Sequence, residues 1–384
     1  MTHPVVFSRT APYLTTIKKR MILNPNSPHQ KTYHIVLSTE EGALSFAPGD
    51  SLGILPSNDP KLVSELLNLL HLSPETTCLS PKTNESITLL EFFTKKVNLA
   101  RISTQLLSYI LLHTEHVEHR IMLSDLSHPD HKEQLASFIA GKDLLDIFYT
   151  FPLPTRPVIE LLPLFAPLLP RFYSISSSLC THPEEIHLLV ALSSHIQRGQ
   201  VHFGVASHFL CNLAEELVTK IPLYIQPTIH FTLPIDPCVP IIMIGPGTGV
   251  APFRAFLQTR IAQQASGKHW LFFGGRHRAH DFFYEKEWEN LQHQGHLRLS
   301  TAFSRDLEEK NYVQHALWHE RKDVWCWMQK GAHIYVCGDA THMAKAVEAT
   351  LTEIIATEGL KSQEEAHAYM KMLKMTKHYR TDVY

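Results

Sequence analysis

Arg171, Tyr173 and Ser174 stand in one four-residue run, Arg171-Phe172-Tyr173-Ser174. The run closes an apolar approach holding Pro163, Pro167 and Pro170 and opens a serine-rich segment, Ile175-Ser176-Ser177-Ser178. If it is extended, alternate side chains share a face, so the Arg171 guanidinium and the Tyr173 ring point the same way, with the Ser174 hydroxyl beside them. A guanidinium suits a diphosphate, and an aromatic ring can stack on a flat conjugated ligand such as a flavin. The alternative is a strand that merely ends in polar residues.

A second group is Gly245-Pro246-Gly247-Thr248-Gly249, which follows the apolar run 240–244 and precedes a helix that starts near Pro252. Proline suits a first helical position. Strand, glycine loop and helix together make an anion-binding arrangement, because glycines let the backbone approach a diphosphate and the helix N-terminus offers free N–H groups. The spacing departs from Gly-x-Gly-x-x-Gly, and a plain turn is the other reading. Farther on, Ser304, Arg305, Lys310, Tyr312 and Gln314 follow the third strand of the same pattern, where the adenosine end of a dinucleotide lies. Arg305 and Lys310 suit a 2′-phosphate, which favours NADPH over NADH; otherwise they are two cations on a solvated loop.

Gly204-Val205-Ala206-Ser207 precedes a helix expected over 208–218 and offers another set of backbone donors, or simply a glycine before a helix. Cys337 ends an apolar run and is followed by Gly338-Asp339. Its place suits the lining of a nicotinamide pocket, where it is expected to position more than to react; a buried structural cysteine is the alternative. Finally, Tyr379-Arg380-Thr381-Asp382-Val383-Tyr384 reads as a strand whose last ring could cover one face of a flavin.

The elements that must position these residues fall into two textures. From about residue 237 onward, buried runs at 240–244, 270–274, 297–303 and 333–337 alternate with helical segments that include 343–357 and 363–376. That rhythm predicts a doubly wound parallel sheet with ligands at the carboxyl ends of its strands. Upstream, runs at 33–38, 51–55 and 187–192 are bounded by turn signals such as Ala47-Pro48-Gly49-Asp50, which predicts an antiparallel β-barrel. Between those strands, the spacing of Leu62, Leu66, Leu67 and Leu70, and of Leu106, Leu107, Ile110 and Leu111, predicts an all-helical insertion over about 59–168. The expected domains are 1–236, carrying that insertion, and 237–384.

Composition excludes several classes. At 384 residues, 44% hydrophobic and 19% charged, the chain can bury two or three cores, so disorder is not expected. A net charge of -2 without long basic blocks argues against nucleic acid as a partner. Residues 1–20 lack the layout of a signal peptide, and the apolar run 158–170 is short and broken by Glu160, Pro163 and Pro167, so a packed connector is expected there and no membrane span. The cysteines, Cys78, Cys180, Cys211, Cys238, Cys326 and Cys337, show no Cys-x-x-Cys pair, which fits a reducing cytoplasm. His113, His116 and His119 recur every three residues and could line one helix face; a solvated face is the better reading, and no metal is expected.

Taken together, the chain resembles the FAD- and NADPH-binding part of the diflavin reductases, the group with the sulfite reductase flavoprotein subunit and NADPH-hemoprotein reductase, built on the ferredoxin-NADP reductase plan. The resemblance runs from Pro48-Gly49-Asp50 and Pro56-Ser57-Asn58-Asp59 to Tyr369-Met370-Lys371 and Asp382-Val383-Tyr384. Its tyrosine ending, after Arg380-Thr381-Asp382-Val383, is closer to the sulfite reductase subunit than to relatives that end in tryptophan. It implies FAD contacts at Arg171, Tyr173, Ser174, Gly204, Val205, Ala206, Ser207 and Tyr384. It implies NADPH contacts at Gly245, Thr248, Gly249, Ser304, Arg305, Lys310, Tyr312 and Gln314. Ser174, Cys337, Asp382 and Tyr384 are then the catalytic set around the hydride path.

The family normally carries a flavodoxin-like FMN domain ahead of this region, which the first 48 residues cannot hold. The expectation is therefore an NADPH-dependent FAD oxidoreductase that hands electrons to a separate acceptor protein: an FMN protein or flavodoxin, a ferredoxin or a hemoprotein. A free-standing ferredoxin or flavodoxin-NADP reductase is one alternative. A non-catalytic flavin-binding assembly subunit is another.

Overall fold

A computed structural model describes residues 7–81, 84–153, 157–197 and 200–384. The start of the 1–20 stretch lies outside the described residues. The chain divides into two compact units: Met1–Gly53, Phe172–Leu192 and Glu215–Tyr384 form the first, and Ile54–Arg171 with Ser193–Ala214 the second.

In the first unit, five parallel strands stand in the order Arg298–Phe303, His269–Gly275, Ile241–Pro246, His333–Gly338, Tyr379–Val383. The three central strands are buried nearly end to end, as a sheet covered on both faces requires, and this is why they read as unbroken apolar runs. Alternation sorts their side chains between two cores. Ile242, Ile244, Trp270, Phe272, Ile334 and Val336 pack with residues of Val313–His319, Met343–Glu358 and Gln363–Met375. Ile241, Met243, Leu271, Phe273, Tyr335 and Cys337 face the other way, against Phe253 and Phe256 of Ala251–Ala262 and the buried Trp288. This is the doubly wound parallel sheet that the sequence predicts.

The antiparallel part of that unit consists of two sheets. Thr32–Ser38 pairs with Ile17–Ile22 on one side and Glu185–Ala191 on the other. A four-stranded sheet has the order Tyr13–Thr15, Ile221–Gln226, Ser51–Ile54, Arg171–Ser174, and the bridge Ile175 to Leu188 links the two.

The second unit is mainly helical. Pro60–Leu69, Leu89–Lys95, Thr104–His113 and Leu144–Thr150 enclose Leu66, Phe93, Leu106, Ile110 and Phe148, and Leu161, Leu162 and Phe165 of the expected connector join the same core. A short hairpin, Thr77–Leu79 with Ser86–Thr88, interrupts the helices. Buried Asn58 donates both amide hydrogens to Phe93 O and Val97 O, each at 2.7 Å, closing the end of Leu89–Lys95. No helix among the described residues is long and apolar enough to cross a membrane.

Candidate functional site

Strand Ile241–Pro246 runs into a 3₁₀ turn, Gly247–Val250, and then into helix Ala251–Ala262 with Pro252 in its first positions. Gly247 has a φ of 56°, in the left-handed region where a side chain is strained. A Cβ on Gly249 would lie 2.1 Å from Cys337 O, so only glycine lets this turn press against the end of strand His333–Gly338. No side chain caps the helix or the turn; Ala251 N–H donates to Thr248 O, so the N–H groups without an intrahelical acceptor at the sheet's carboxyl edge are those that open the 3₁₀ turn.

On that edge Cys337 and Asp382 are register partners on adjacent parallel strands. Ser174 Oγ donates to Asp382 Oδ2 at 3.0 Å, and Cys337 Sγ stands 3.9 Å from the same oxygen. Burial raises the Asp382 carboxyl, and the bonds from Ser174 and Cys337 oppose that rise. Burial, and then the Asp382 charge, push the Cys337 thiol well up, so it is a neutral thiol and no ready nucleophile. Tyr384 is tied down: its N–H donates to Gly338 O at 3.1 Å, Ala340 N–H donates to its carbonyl at 3.2 Å, and its hydroxyl shares a 2.9 Å hydrogen bond with Thr248 Oγ1. Its side chain is otherwise largely exposed. The sequence named all four of these residues without showing that one carboxylate oxygen joins two of them.

A cleft of about 1070 Å³ opens beside this cluster. Its walls include Thr248, Ser304, Arg305, Lys310, Tyr312, Gln314 and Tyr384, so six of the residues expected to contact NADPH converge on one space, while the buried Gly245 and Gly249 are not part of its lining. Among the described residues Arg276, Arg305 and Lys310 form no ion pair, whereas Arg254, Arg278, Arg298 and Arg321 each meet a carboxylate. Three cations without an ion pair in one cleft, set against the carboxylates Asp281 and Asp339, suit a polyanion such as a dinucleotide with a 2′-phosphate. Sequence reasoning missed Arg276, Asn24, His29 and Gln30, which also line the cleft. Arg276 was legible: it follows strand His269–Gly275, whose end pairs with Phe303 just before Ser304 and Arg305. The others belong to a loop between two antiparallel strands and carry no motif.

The remaining predicted residues are described unit by unit. In the first, Tyr173 is half-buried and Ser174 follows it in strand. In the second, Arg171 is exposed and pairs with no carboxylate among the described residues. There Gly204 is the N-cap of Val205–His208, its N–H donating to Ser193 O at 2.9 Å. Ser207 Oγ donates to Gly204 O at 3.0 Å and accepts from Ser193 N at 3.1 Å, so this hydroxyl shapes the turn. The N–H groups of Val205 and Ala206 have no intrahelical acceptor. The helix expected over 208–218 is displaced: it begins at Val205, becomes a π-turn over Phe209–Leu213 and stops at Ala214. Leu217, at a φ of 62°, is in a conformation that no right-handed helix holds.

The three histidines do not share a helix face. His113 ends Thr104–His113 and bonds Tyr109 O, while His116 is the N-cap of Val117–Leu126, so the extended residue Thr114 breaks the spacing. Among the described residues the groups with metal-ligand proximity are His182, Glu185 and His187, and Asp143, Asp146 and His202.

Residues 5–209 match the family described as FAD binding domain, and residues 243–349 match the oxidoreductase NAD-binding domain. The chain is similar to the sulfite reductase [NADPH] flavoprotein alpha-component of Bacillus subtilis (strain 168), at 38% identity over 379 residues, covering 98% of this chain and 62% of that protein. It is similar to the protein of the same name from Shewanella sp. (strain MR-4), at 39% identity over 382 residues with 98% and 62% covered. The relative from Klebsiella pneumoniae subsp. pneumoniae is 37% identical over 387 residues, with 100% and 62% covered. The chain thus spans less than two thirds of the length of these relatives.

Proposed function

Because this chain belongs to the family described as FAD binding domain and also carries an oxidoreductase NAD-binding domain, we propose that it takes electrons from NADPH onto FAD and passes them to a separate acceptor protein. The observation that carries this reading is the Ser174, Asp382 and Cys337 cluster at the sheet's carboxyl edge, beside a cleft with three unpaired cations.

When bound, the flavin supplies the chemistry, accepting a hydride and releasing electrons singly. The chain's residues bind and orient. Arg305 and Lys310, with Ser304, Tyr312 and Gln314, hold the phosphate-bearing ribose of NADPH, while Gly245, Thr248 and Gly249 let backbone N–H groups meet its diphosphate. Tyr173 and Tyr384 offer rings to the flavin, and Tyr384 leaves its bond to Thr248 when the nicotinamide arrives. Arg171 and the backbone of Gly204, Val205, Ala206 and Ser207 hold the FAD diphosphate. Asp382 accepts from Ser174 and fixes the serine hydroxyl toward the reacting ring edge, and Cys337 fills the pocket as a neutral thiol.

The relatives are named as an alpha-component of a sulfite reductase, and we propose that this chain likewise acts as one component beside a distinct electron-carrier protein such as an FMN protein, a ferredoxin or a hemoprotein. The reaction belongs in the cytoplasm. The test is anaerobic. The chain is loaded with FAD, its spectrum is recorded, and NADPH or NADH is added in separate runs. Rapid bleaching by NADPH and a slow response to NADH are expected; a chain that takes up no FAD overturns the proposal.

A further inference from the structure

Arg305 Nη1 lies 3.3 Å from His29 Nε2, across 276 positions of sequence. Arginine can only donate, so the imidazole nitrogen accepts and the ring proton sits on Nδ1. The Nε and Nη2 edge of Arg305 has no partner among the described residues, and that edge is the bidentate fork by which a guanidinium takes a phosphate. Each paired arginine noted above meets a carboxylate, which would compete with an incoming anion; His29 holds Arg305 without adding negative charge.

The loop that carries His29 is itself built to stay in place. Asn24, 2% exposed, accepts from Thr32 N at 2.7 Å and donates to Gln30 O at 2.9 Å. Ser27, 4% exposed, accepts from His29 N at 3.3 Å, and Lys31 Nζ donates to Ser27 O at 2.9 Å. A neutral acceptor on a fixed loop therefore restricts an otherwise flexible guanidinium at the cleft wall before any ligand binds.

We infer that His29 is a positioning residue for coenzyme selection, orienting Arg305 so that its open edge receives the 2′-phosphate of NADPH. This rests on the reading of Arg305 as a coenzyme contact. The probes are adenosine 2′,5′-bisphosphate and AMP, titrated by calorimetry into the full chain and into His29→Ala, His29→Gln and Arg305→Ala. His29→Ala is expected to weaken bisphosphate binding about five- to tenfold, the worth of one net hydrogen bond, and to leave AMP binding within about twofold. Glutamine keeps a neutral acceptor and is expected to restore most of the loss. Equal loss for both probes, which marks loop collapse, overturns the inference. So does a loss that glutamine does not restore, which marks direct contact with the phosphate. If Arg305→Ala abolishes the bisphosphate preference while His29→Ala leaves it intact, the inference falls and the coenzyme reading stands. If the unaltered chain shows no preference, both fall.

Discussion

Ser174 Oγ donates to Asp382 Oδ2 across 3.0 Å, joining residues 208 positions apart in the chain. The same carboxylate oxygen faces Cys337 Sγ at 3.9 Å. Parallel pairing of Cys337 with Asp382 fixes two of the three, and the end of strand Arg171–Ser174 supplies the third. The result is a hydroxyl and a thiol both aimed at one half-buried carboxylate, in a place where a small displacement alters how a ligand is presented.

Replacing Asp382 by Asn keeps the shape and removes the charge that Ser174 donates to. Flavin reduction by NADPH in stopped flow is expected to slow by roughly 10- to 100-fold, while the flavin content of the purified protein stays unchanged. An unaltered reduction rate removes Asp382 from the mechanism.

The two glycines of the 3₁₀ turn should respond differently to alanine. Gly247 has open space around its Cβ position and a positive φ, so Gly247→Ala is expected to cost about 1 kcal/mol of stability. At Gly249 the new methyl would meet backbone, at 2.1 Å from Cys337 O, and nothing flexible can yield. Gly249→Ala is expected to cost about 3 kcal/mol and to weaken NADPH binding as strand His333–Gly338 is pushed away. Urea unfolding and coenzyme titration of both variants check this contrast, and equal stability losses would contradict it.

Charge on the cleft wall should act on NADPH alone. Lys310→Ala removes one unpaired cation and is expected to raise the KM for NADPH about tenfold while leaving that for NADH nearly unchanged. Steady-state assays with an artificial electron acceptor decide it; a parallel rise for both coenzymes would make Lys310 a general support of the loop.

Much of this site was legible in sequence because its parts sit at strand ends, and strands of a covered parallel sheet announce themselves as apolar runs. Gly245, Gly249 and Cys337 were found that way, whereas Asp382 was named through the family resemblance of the ending Asp382-Val383-Tyr384. What stayed hidden depends on register and on contacts between distant segments. No local pattern tells that Asp382 Oδ2 meets Ser174, or that a loop at His29 reaches Arg305. The helix expected over 208–218 failed for a local reason: its apolar spacing fits a helix, but Leu217 takes a left-handed backbone and the turn before it is of π type. His113, His116 and His119 kept their sequence spacing and lost their common face to one extended residue, Thr114.

A buried histidine cluster contributes to the acid sensitivity of the first unit, beside His269 and His333, which burial lowers to about 4 each. His34 Nδ1 pairs with Tyr284 Oη at 2.8 Å, its ring lies edge-on to His187, and His187 Nδ1 accepts from Arg254 Nη1 at 3.1 Å. Burial and then the Arg254 charge lower His34 to about 3; burial lowers His187 to about 4 despite its bond to Glu185, and lowers His182 as well. The contact of His187 Nε2 with Glu185 is therefore a hydrogen bond from a neutral ring. Above about pH 6.5 these histidines are neutral in both folded and unfolded chains, and the stability of the cluster is fully present. As pH falls below that value the unfolded chain binds protons that the folded chain refuses, so stability declines by about 1.4 kcal/mol per pH unit for each histidine until the folded groups titrate. Glu185, whose carboxyl Lys18 and His187 hold down to about 2, adds a further loss as pH falls from the ordinary carboxylate value of about 4.5 toward 2. Between pH 7 and pH 5 the decline therefore isolates the histidines, and His34 with His187 should account for roughly 2 to 4 kcal/mol. Urea midpoints at the two pH values measure it, and His34→Gln combined with His187→Gln should make the dependence shallower, leaving the part due to His182, His269 and His333; an equally steep decline in that variant would assign the acid sensitivity to other groups.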